Sequence, residues 1–236
     1  MIDFTIGECV NLMQTAEKQA NAAQETRFFA PPKAKPGYEF AKRAFDIVMS
    51  FLALVILSPV FLAVSIAIHL EDGGNVIYSS IRLTKNGKEF KMYKFRSMCM
   101  DAEQKLDSLM SLNEMNGPAF KIAEDPRITK VGKFIRKTSI DELPQLVNIL
   151  KGDMSIIGPR PPLPREVEQY TPYQMHRLDV KTGLACYHEC EGRSDNHDFD
   201  QWVEADLRYI RERSMWTDLK IIFMTIKVVL TGKGAV

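Results

Sequence analysis

The longest apolar run in the chain extends from Ile47 to Ile68, 22 residues (IVMSFLALVILSPVFLAVSIAI) without a charge, with Lys42 and Arg43 before it and Glu71 and Asp72 after it. A run of this length belongs in a lipid bilayer. It starts too far into the chain for a cleavable signal and has no small-residue cleavage site after it, so it reads as a retained anchor. Ser58-Pro59 interrupts it near the middle. Proline removes a backbone donor and clashes with the carbonyl four residues back, so a sharp bend is expected there, with Ser58 able to cap the freed groups. Two arms of about eleven residues, at roughly 1.5 Å per residue, are each half a bilayer deep, which suits a re-entrant hairpin. Proline is also common in spanning helices, and on the residues alone the kinked spanning helix is the simpler reading.

Elsewhere the pattern predicts shorter elements. Residues 1–40 form an accessory arm: a weak amphipathic helix, then the proline-containing linker PPKAKPGYEF. Residues 41–70 are the membrane segment and 71–236 the remainder. Residues 76–82 and 89–96 are rich in β-formers and flank Asn86-Gly87, the signature of a β-hairpin. Residues 101–115 look helical. Residues 127–137 place Arg127, Lys130, Lys133, Arg136 and Lys137 on one helical face, with Ile128, Val131, Phe134 and Ile135 opposite. Beside a membrane anchor, such a basic face meets phosphates or anionic headgroups. A further helix is expected from Ser139, where Ser139 and Glu142 have capping-box spacing and Leu143, Leu146, Val147 and Leu150 form a stripe that Gly152 closes. The run 152–167 reads as a proline-fixed loop, 199–212 as an amphipathic helix, and 216–230 as a membrane-surface helix with snorkelling Lys220 and Lys227.

Composition changes this picture little. The chain has 236 residues with 45% apolar and 26% charged side chains, enough for a sizeable core, and 31 basic against 30 acidic residues leave a net charge of +1. No global field draws it onto nucleic acid, so any anion site is local. Four cysteines without a secretory signal point to a reducing, cytoplasmic-facing environment.

The chemistry centres on the adjacent Asp141 and Glu142. At a helix N-terminus the unpaired N–H groups favour an ionised carboxylate, so Asp141 is a candidate nucleophile; the bland alternative is that the pair merely caps the helix. Lys94, Arg96, Arg136, Arg160 and Arg193 lie on separate segments. If these cations converge on the dyad they make a polyphosphate site, and Mg²⁺ asks for one or two carboxylates plus phosphate oxygens, which Asp141 and Glu142 supply. In Gly158-Pro159-Arg160-Pro161 the flanking prolines hold the guanidinium as a rigid phosphate clamp. Cys186, His188 and Cys190, with His197 nearby, lack zinc-knuckle spacing, so a metal there is disfavoured.

Taken together, KRAFD (42–46), LSPVF (57–61), KMYKFRSM (91–98), SIDELPQLVNILKGDMSIIGPRP (139–161) and EGRSD (191–195) resemble the monotopic phosphoglycosyl transferases, the bacterial sugar transferase family. The resemblance covers about residues 40–236. It implies transfer of a sugar 1-phosphate from a UDP-sugar to a polyprenyl (undecaprenyl) phosphate with release of UMP, the first membrane step of exopolysaccharide, capsule, O-antigen or glycoprotein glycan assembly. Asp141 would be the nucleophile that forms a phosphosugar-aspartyl intermediate, and Glu142 would help bind Mg²⁺ or handle protons. Lys94, Arg136 and Arg160 match phosphate-holding positions, and Ser58-Pro59 matches the helix break that makes the anchor re-entrant, reversing the preference for a spanning helix.

The fold class implied is α+β, mainly helical: a re-entrant helix-break-helix hairpin plus a small catalytic domain with a β-hairpin and amphipathic interfacial helices. It would sit on the cytoplasmic face of the bacterial inner membrane, in contact with membrane lipids, with room for a homodimer and no nucleic-acid partner.

Residues 181–193 (KTGLACYHECEGR) depart from the family pattern: Thr182 replaces a proline, His188 an aromatic and Glu189 a glutamine, and Glu189 and Glu191 would add negative charge near the nucleotide sugar. Two other readings compete. A membrane-anchored, lipid-binding scaffold would use the dyad only as a cap, and an ordinary glycosyltransferase would release UDP instead of UMP.

Overall fold

The computed structural model describes residues 29, 32–122, 124–192 and 198–231. The expected helix in the first 28 residues, Arg193 and His197 lie outside them. Helix α1 (Pro36–Ile56) begins inside the segment read as linker, where proline is tolerated in the first turn because its missing N–H would have no helical partner. Leu57 ends it, and α2 (Ser58–Asp72) continues after a 60° bend. The cause is local and was foreseen. Pro59 cannot donate to the Val55 carbonyl, and the Ser58 hydroxyl donates to that oxygen instead, at 2.8 Å. Among the described residues no single helix is long and apolar enough to cross a membrane, and the bent pair passes that test only when its two arms are taken together.

Both ends of the pair are fastened to the globular part. On α1 the polar residues Lys42, Asp46 and Ser50 recur every four positions, so they share one face, and all are buried. Lys42 Nζ pairs with Asp218 at 2.8 Å, the Asp46 carboxylate accepts the Ile156 N–H at 3.0 Å, and Arg43 donates to the Ile149 and Leu150 carbonyls at 2.6 and 2.8 Å. The charges that looked like a membrane flank therefore serve as docking groups. At the other end, Asp72 pairs with Arg96, and Glu71 accepts the Lys130 N–H at 2.8 Å. The remaining faces of α1 and α2 expose the large apolar side chains Val48, Phe51, Val55, Ile56 and Leu62.

The hairpin forms as read, with β1 (Ile77–Thr84) antiparallel to β2 (Lys88–Phe95) and Arg82 opposite Phe90. Asn86 (φ 60°) and Gly87 (φ 72°) make the turn, a conformation these two residue types tolerate. The helix expected over 101–115 shrinks to α3 (Leu106–Leu109) and a following 3₁₀ turn. Asn113 is the reason: its side chain accepts from the Met115 and Lys121 amides and donates to the Ala119 carbonyl, competing with helical bonding.

Helix α4 (Lys130–Lys137) starts at Thr129, whose hydroxyl accepts the Gly132 N–H. It is shorter than the basic helix expected. Arg127 leaves that face, buried against Asp125 at 2.6 Å, while Phe134 joins Lys130, Lys133 and Lys137 on the exposed side. Helix α5 (Gln145–Lys151) ends at Gly152 in the left-handed conformation. The stretch read as loop contains β3 (Ser155–Ile157), parallel to β4 (Gly183–Ala185), and α6 (Pro164–Val167). Three-residue strands are too short to show a periodicity. Next come α7 (Pro172–Met175), α8 (Tyr187–Gly192), α9 (Phe199–Glu212) and α10 (Met215–Thr231). The main core gathers Phe199, Trp202, Val203, Leu207 and Ile210 of α9 with Ile157 and Ile221. Outside it, α10 exposes Trp216, Phe223, Ile226 and Val229 beside Lys220 and Lys227, as a surface-lying membrane helix would.

Candidate active site

The dyad lies on a single 3₁₀ turn, Ile140–Glu142, entered through Ser139 at φ 56°. A left-handed non-glycine residue costs about 1–3 kcal/mol and is found chiefly where function demands a particular turn. The expected capping box is absent: the Ser139 side chain caps nothing, and α5 begins only after Pro144. Glu142 is occupied otherwise, its Oε1 accepting from Lys94 Nζ at 2.8 Å. The bland reading of Glu142 as a cap thereby loses its support. Asp141 is 92% buried, since only 8% of its surface is exposed, and the turn is clasped between α4, which carries Arg136, and β2, which carries Lys94.

β2 is held in place by a residue that sequence reasoning passed over. Asn148, fully buried on α5, accepts the Tyr93 N–H at 3.0 Å and donates to the Lys91 carbonyl at 2.7 Å. One amide thus fixes the strand of Lys94 against the helix that follows Asp141. The spacing of Asn148 inside the helical stripe looks like any surface asparagine, which is why it gave no signal.

The proline clamp is built on the parallel strand pair. The Gly183 N–H donates to the Pro159 carbonyl at 2.9 Å and the Gly158 N–H to the Ala185 carbonyl at 3.1 Å. A Cβ on Gly183 would fall 2.0 Å from the Gly158 nitrogen, so only glycine permits this approach. Pro159 and Pro161 are buried and Arg160 is exposed, its guanidinium 5.7 Å from the Trp202 ring centroid. Beneath it, Arg177 donates to Asp206 at 2.8 Å and reaches the Arg160 carbonyl at 3.5 Å. Burial would lower the Arg177 pKa, but the Asp206 carboxylate more than offsets this and holds it above the usual arginine range.

Not every expected site residue converges. Arg96 turns toward α2: its guanidinium is engaged by Asp72 and by the Asn75 carbonyl at 2.6 Å, so three of its five N–H groups tether the end of that helix. The Asp72 carboxylate beside it is held down at about 2.

The atypical 181–193 segment also receives a physical account. Thr182 is fully buried and its N–H donates to the Thr84 hydroxyl at 3.3 Å, a bond proline cannot make. His188 keeps an aromatic's task by stacking on Trp202 at 4.2 Å. Glu191 is paired with Arg208 at the surface, which offsets part of the negative charge it adds. Cys186, His188 and Glu189 offer ligand atoms within 4.8 Å of one another, and burial drives the Cys186 thiol well above its ordinary pKa.

The family model described as "Bacterial sugar transferase" matches residues 37–232. The chain is 46% identical over 225 residues to "Galactosyl transferase CpsE" of Streptococcus agalactiae, covering 94% of this chain and 48% of that protein. It is 43% identical over 206 residues to "Undecaprenyl-phosphate galactose phosphotransferase" of Salmonella typhimurium, covering 86% and 43%. It spans about half the length of these curated relatives. Against "Exopolysaccharide production protein ExoY" of Rhizobium meliloti, 36% identical over 225 residues, the match covers 92% of this chain and 99% of the other. With the dyad, the clamp and the broken helix all inside the matched span, the chain belongs to the bacterial sugar transferase family.

Proposed function

We propose that this chain transfers a sugar 1-phosphate from a UDP-sugar to undecaprenyl or another polyprenyl phosphate. The carrying observation is the Lys94–Glu142 ion pair, which joins elements 48 residues apart at the turn that bears Asp141, with the helix of Arg136 packed on the same turn. An oxygen of the Asp141 carboxylate attacks the β-phosphorus, the bond from that phosphorus to the bridging oxygen breaks, and UMP departs. A phosphosugar-aspartyl ester remains. The lipid phosphate then attacks the same phosphorus, the bond to Asp141 breaks, and the carboxylate is restored with polyprenyl-diphospho-sugar as product. Lys94 and Arg160 neutralise phosphate charge, and the Lys94 contact orients Glu142 beside the nucleophile.

The donor set suits Mg²⁺, because two adjacent carboxylates completed by phosphate oxygens match its preference for hard oxygen ligands. Asp141 and Glu142 would hold it, and when bound it supplies charge neutralisation on the diphosphate. The scaffold alternative explains the exposed apolar and basic surface but not the burial of Asp141 beside a Glu142 that is held by Lys94.

Nucleotide release tests the proposal. Protein in nanodiscs with Mg²⁺, polyprenyl phosphate and a panel of UDP-sugars, UDP-galactose first because two relatives are named for galactose, is expected to liberate UMP. UDP release would replace the proposal with ordinary glycosyl transfer, and no release with any donor would return weight to the scaffold.

The bent helix pair is best explained as a re-entrant anchor in the bacterial inner membrane with the globular part on the cytoplasmic face. Its support is that Lys42 and Arg43 at one end and Asp72 at the other are bonded to the same globular body, which leaves neither end free to reach the opposite side. Cysteines placed at Phe40 and Leu70, both exposed, are expected to react with an impermeant thiol reagent from the cytoplasmic side only. Labelling of the two from opposite sides would refute the hairpin.

A further inference from the structure

We infer that Arg82 is a second guanidinium of the donor site, paired with Arg160 to seat the diphosphate of the nucleotide sugar; this rests on the function proposed above and adds a residue to it. In the antiparallel register Tyr78 faces Lys94 and Arg82 faces Phe90. Residues two apart on a strand share a face, so Arg82 and Lys94 project from the same side of the hairpin. On that side Phe90 and Met92 are buried in a cluster with Leu146 and Ile149 of α5, the helix that follows the dyad.

The guanidinium is placed by the clamp itself. Arg82 Nη1 donates to the Pro161 carbonyl at 3.0 Å, and the next residue of β1 repeats the link, the Leu83 N–H donating to Pro162 at 3.0 Å. A weaker bond of 3.4 Å joins Nε to the Ser80 hydroxyl. Of the five N–H groups of an arginine, these two bonds leave three, the two on Nη2 among them. The residue beside Pro161 is Arg160, the exposed cation of the clamp.

The electrostatics agree with that count. Burial, and then the charge of Arg160, bring the Arg82 guanidinium down to about 10, and the carboxylates of Glu166 and Glu142 oppose the shift only in part. An anion joining the pair would offset both causes of that shift. Two guanidiniums backed by a proline-stiffened loop match the forked geometry of phosphate oxygens, and a diphosphate supplies the negative charge that the pair lacks. The dyad lies within electrostatic reach of the same cation through Glu142.

Binding separates this from a merely structural role. Inorganic pyrophosphate, UDP and uridine are titrated calorimetrically against the full-length protein in nanodiscs, wild type and Arg82→Gln. Arg82→Gln is expected to bind pyrophosphate and UDP about 10- to 100-fold more weakly, the loss of a charge-assisted bidentate contact, while uridine affinity stays level. In turnover, KM for the sugar nucleotide rises more than kcat falls. Equal weakening for uridine would mean that the loop has collapsed, and unchanged pyrophosphate affinity would mean that Arg82 does not touch the diphosphate; either overturns the inference. If the wild type itself binds neither pyrophosphate nor UDP, the functional reading fails first. Should Arg82→Gln not fold, Arg82→Lys keeps the charge and the apolar stem, and the same selective loss, smaller in size, is expected of it.

Discussion

Asp141→Asn is expected to abolish sugar-phosphate transfer, lowering kcat by about a thousandfold or more, while the protein stays folded and membrane-bound. The change is isosteric, so the buried turn between α4 and β2 keeps its packing. What disappears is the anionic oxygen that would bond to phosphorus, since an amide oxygen is neither charged nor a competent leaving group in the second step. UMP release measures the loss. With a donor labelled in its β-phosphate, denatured wild-type protein should carry label in the absence of lipid acceptor, and the variant should carry none. Turnover within about tenfold of wild type would remove Asp141 from the role of nucleophile.

The largest expected loss of stability comes from Arg177→Met. Asp206 is 1% exposed and its carboxylate is held by the Arg177 guanidinium at 2.8 Å. Removing the cation strands a charge in the core, at a cost of about 3–5 kcal/mol. The same substitution removes the donor that reaches the Arg160 carbonyl and the one that bonds the Tyr170 hydroxyl, so the clamp should loosen as well. Denaturant unfolding in detergent, followed by the fluorescence of Trp202, buried one turn before Asp206 on α9, is expected to shift its midpoint strongly downward. The double substitution Arg177→Met with Asp206→Leu should recover most of the loss, because an apolar pair of similar volume leaves no buried charge. A single variant as stable as the wild type would show that the pair is dispensable.

How much was legible beforehand differs by element. The helix break was readable down to its chemistry, since Ser58 does bond the carbonyl that Pro59 abandons. So was the hairpin, because Asn86-Gly87 has one favourable use between two β-rich runs. The helix over 101–115 failed because Asn113 bonds its own neighbours, a competition that periodicity does not register. The capping box failed for a longer-range reason: Glu142 has a better partner in Lys94, 48 residues away. Arg96 and Lys94 lie two residues apart in one motif, yet one serves the dyad and the other ties down α2.

What the residues determine by themselves is local and chemical: a charge-free run broken at one proline, two adjacent carboxylates, an arginine stiffened between prolines. Each depends on neighbours within a few positions, where backbone sterics and hydrogen bonding dominate. Only the tertiary structure decided which cations serve the site. Lys94 reaches Glu142 because Asn148 fixes its strand, Arg82 reaches the clamp because β1 docks on Pro161 and Pro162, and Lys42 and Arg43 leave the membrane flank for Asp218 and the end of α5. A long charged side chain goes to whichever partner offsets its desolvation, and that partner is chosen by packing between segments distant in the chain.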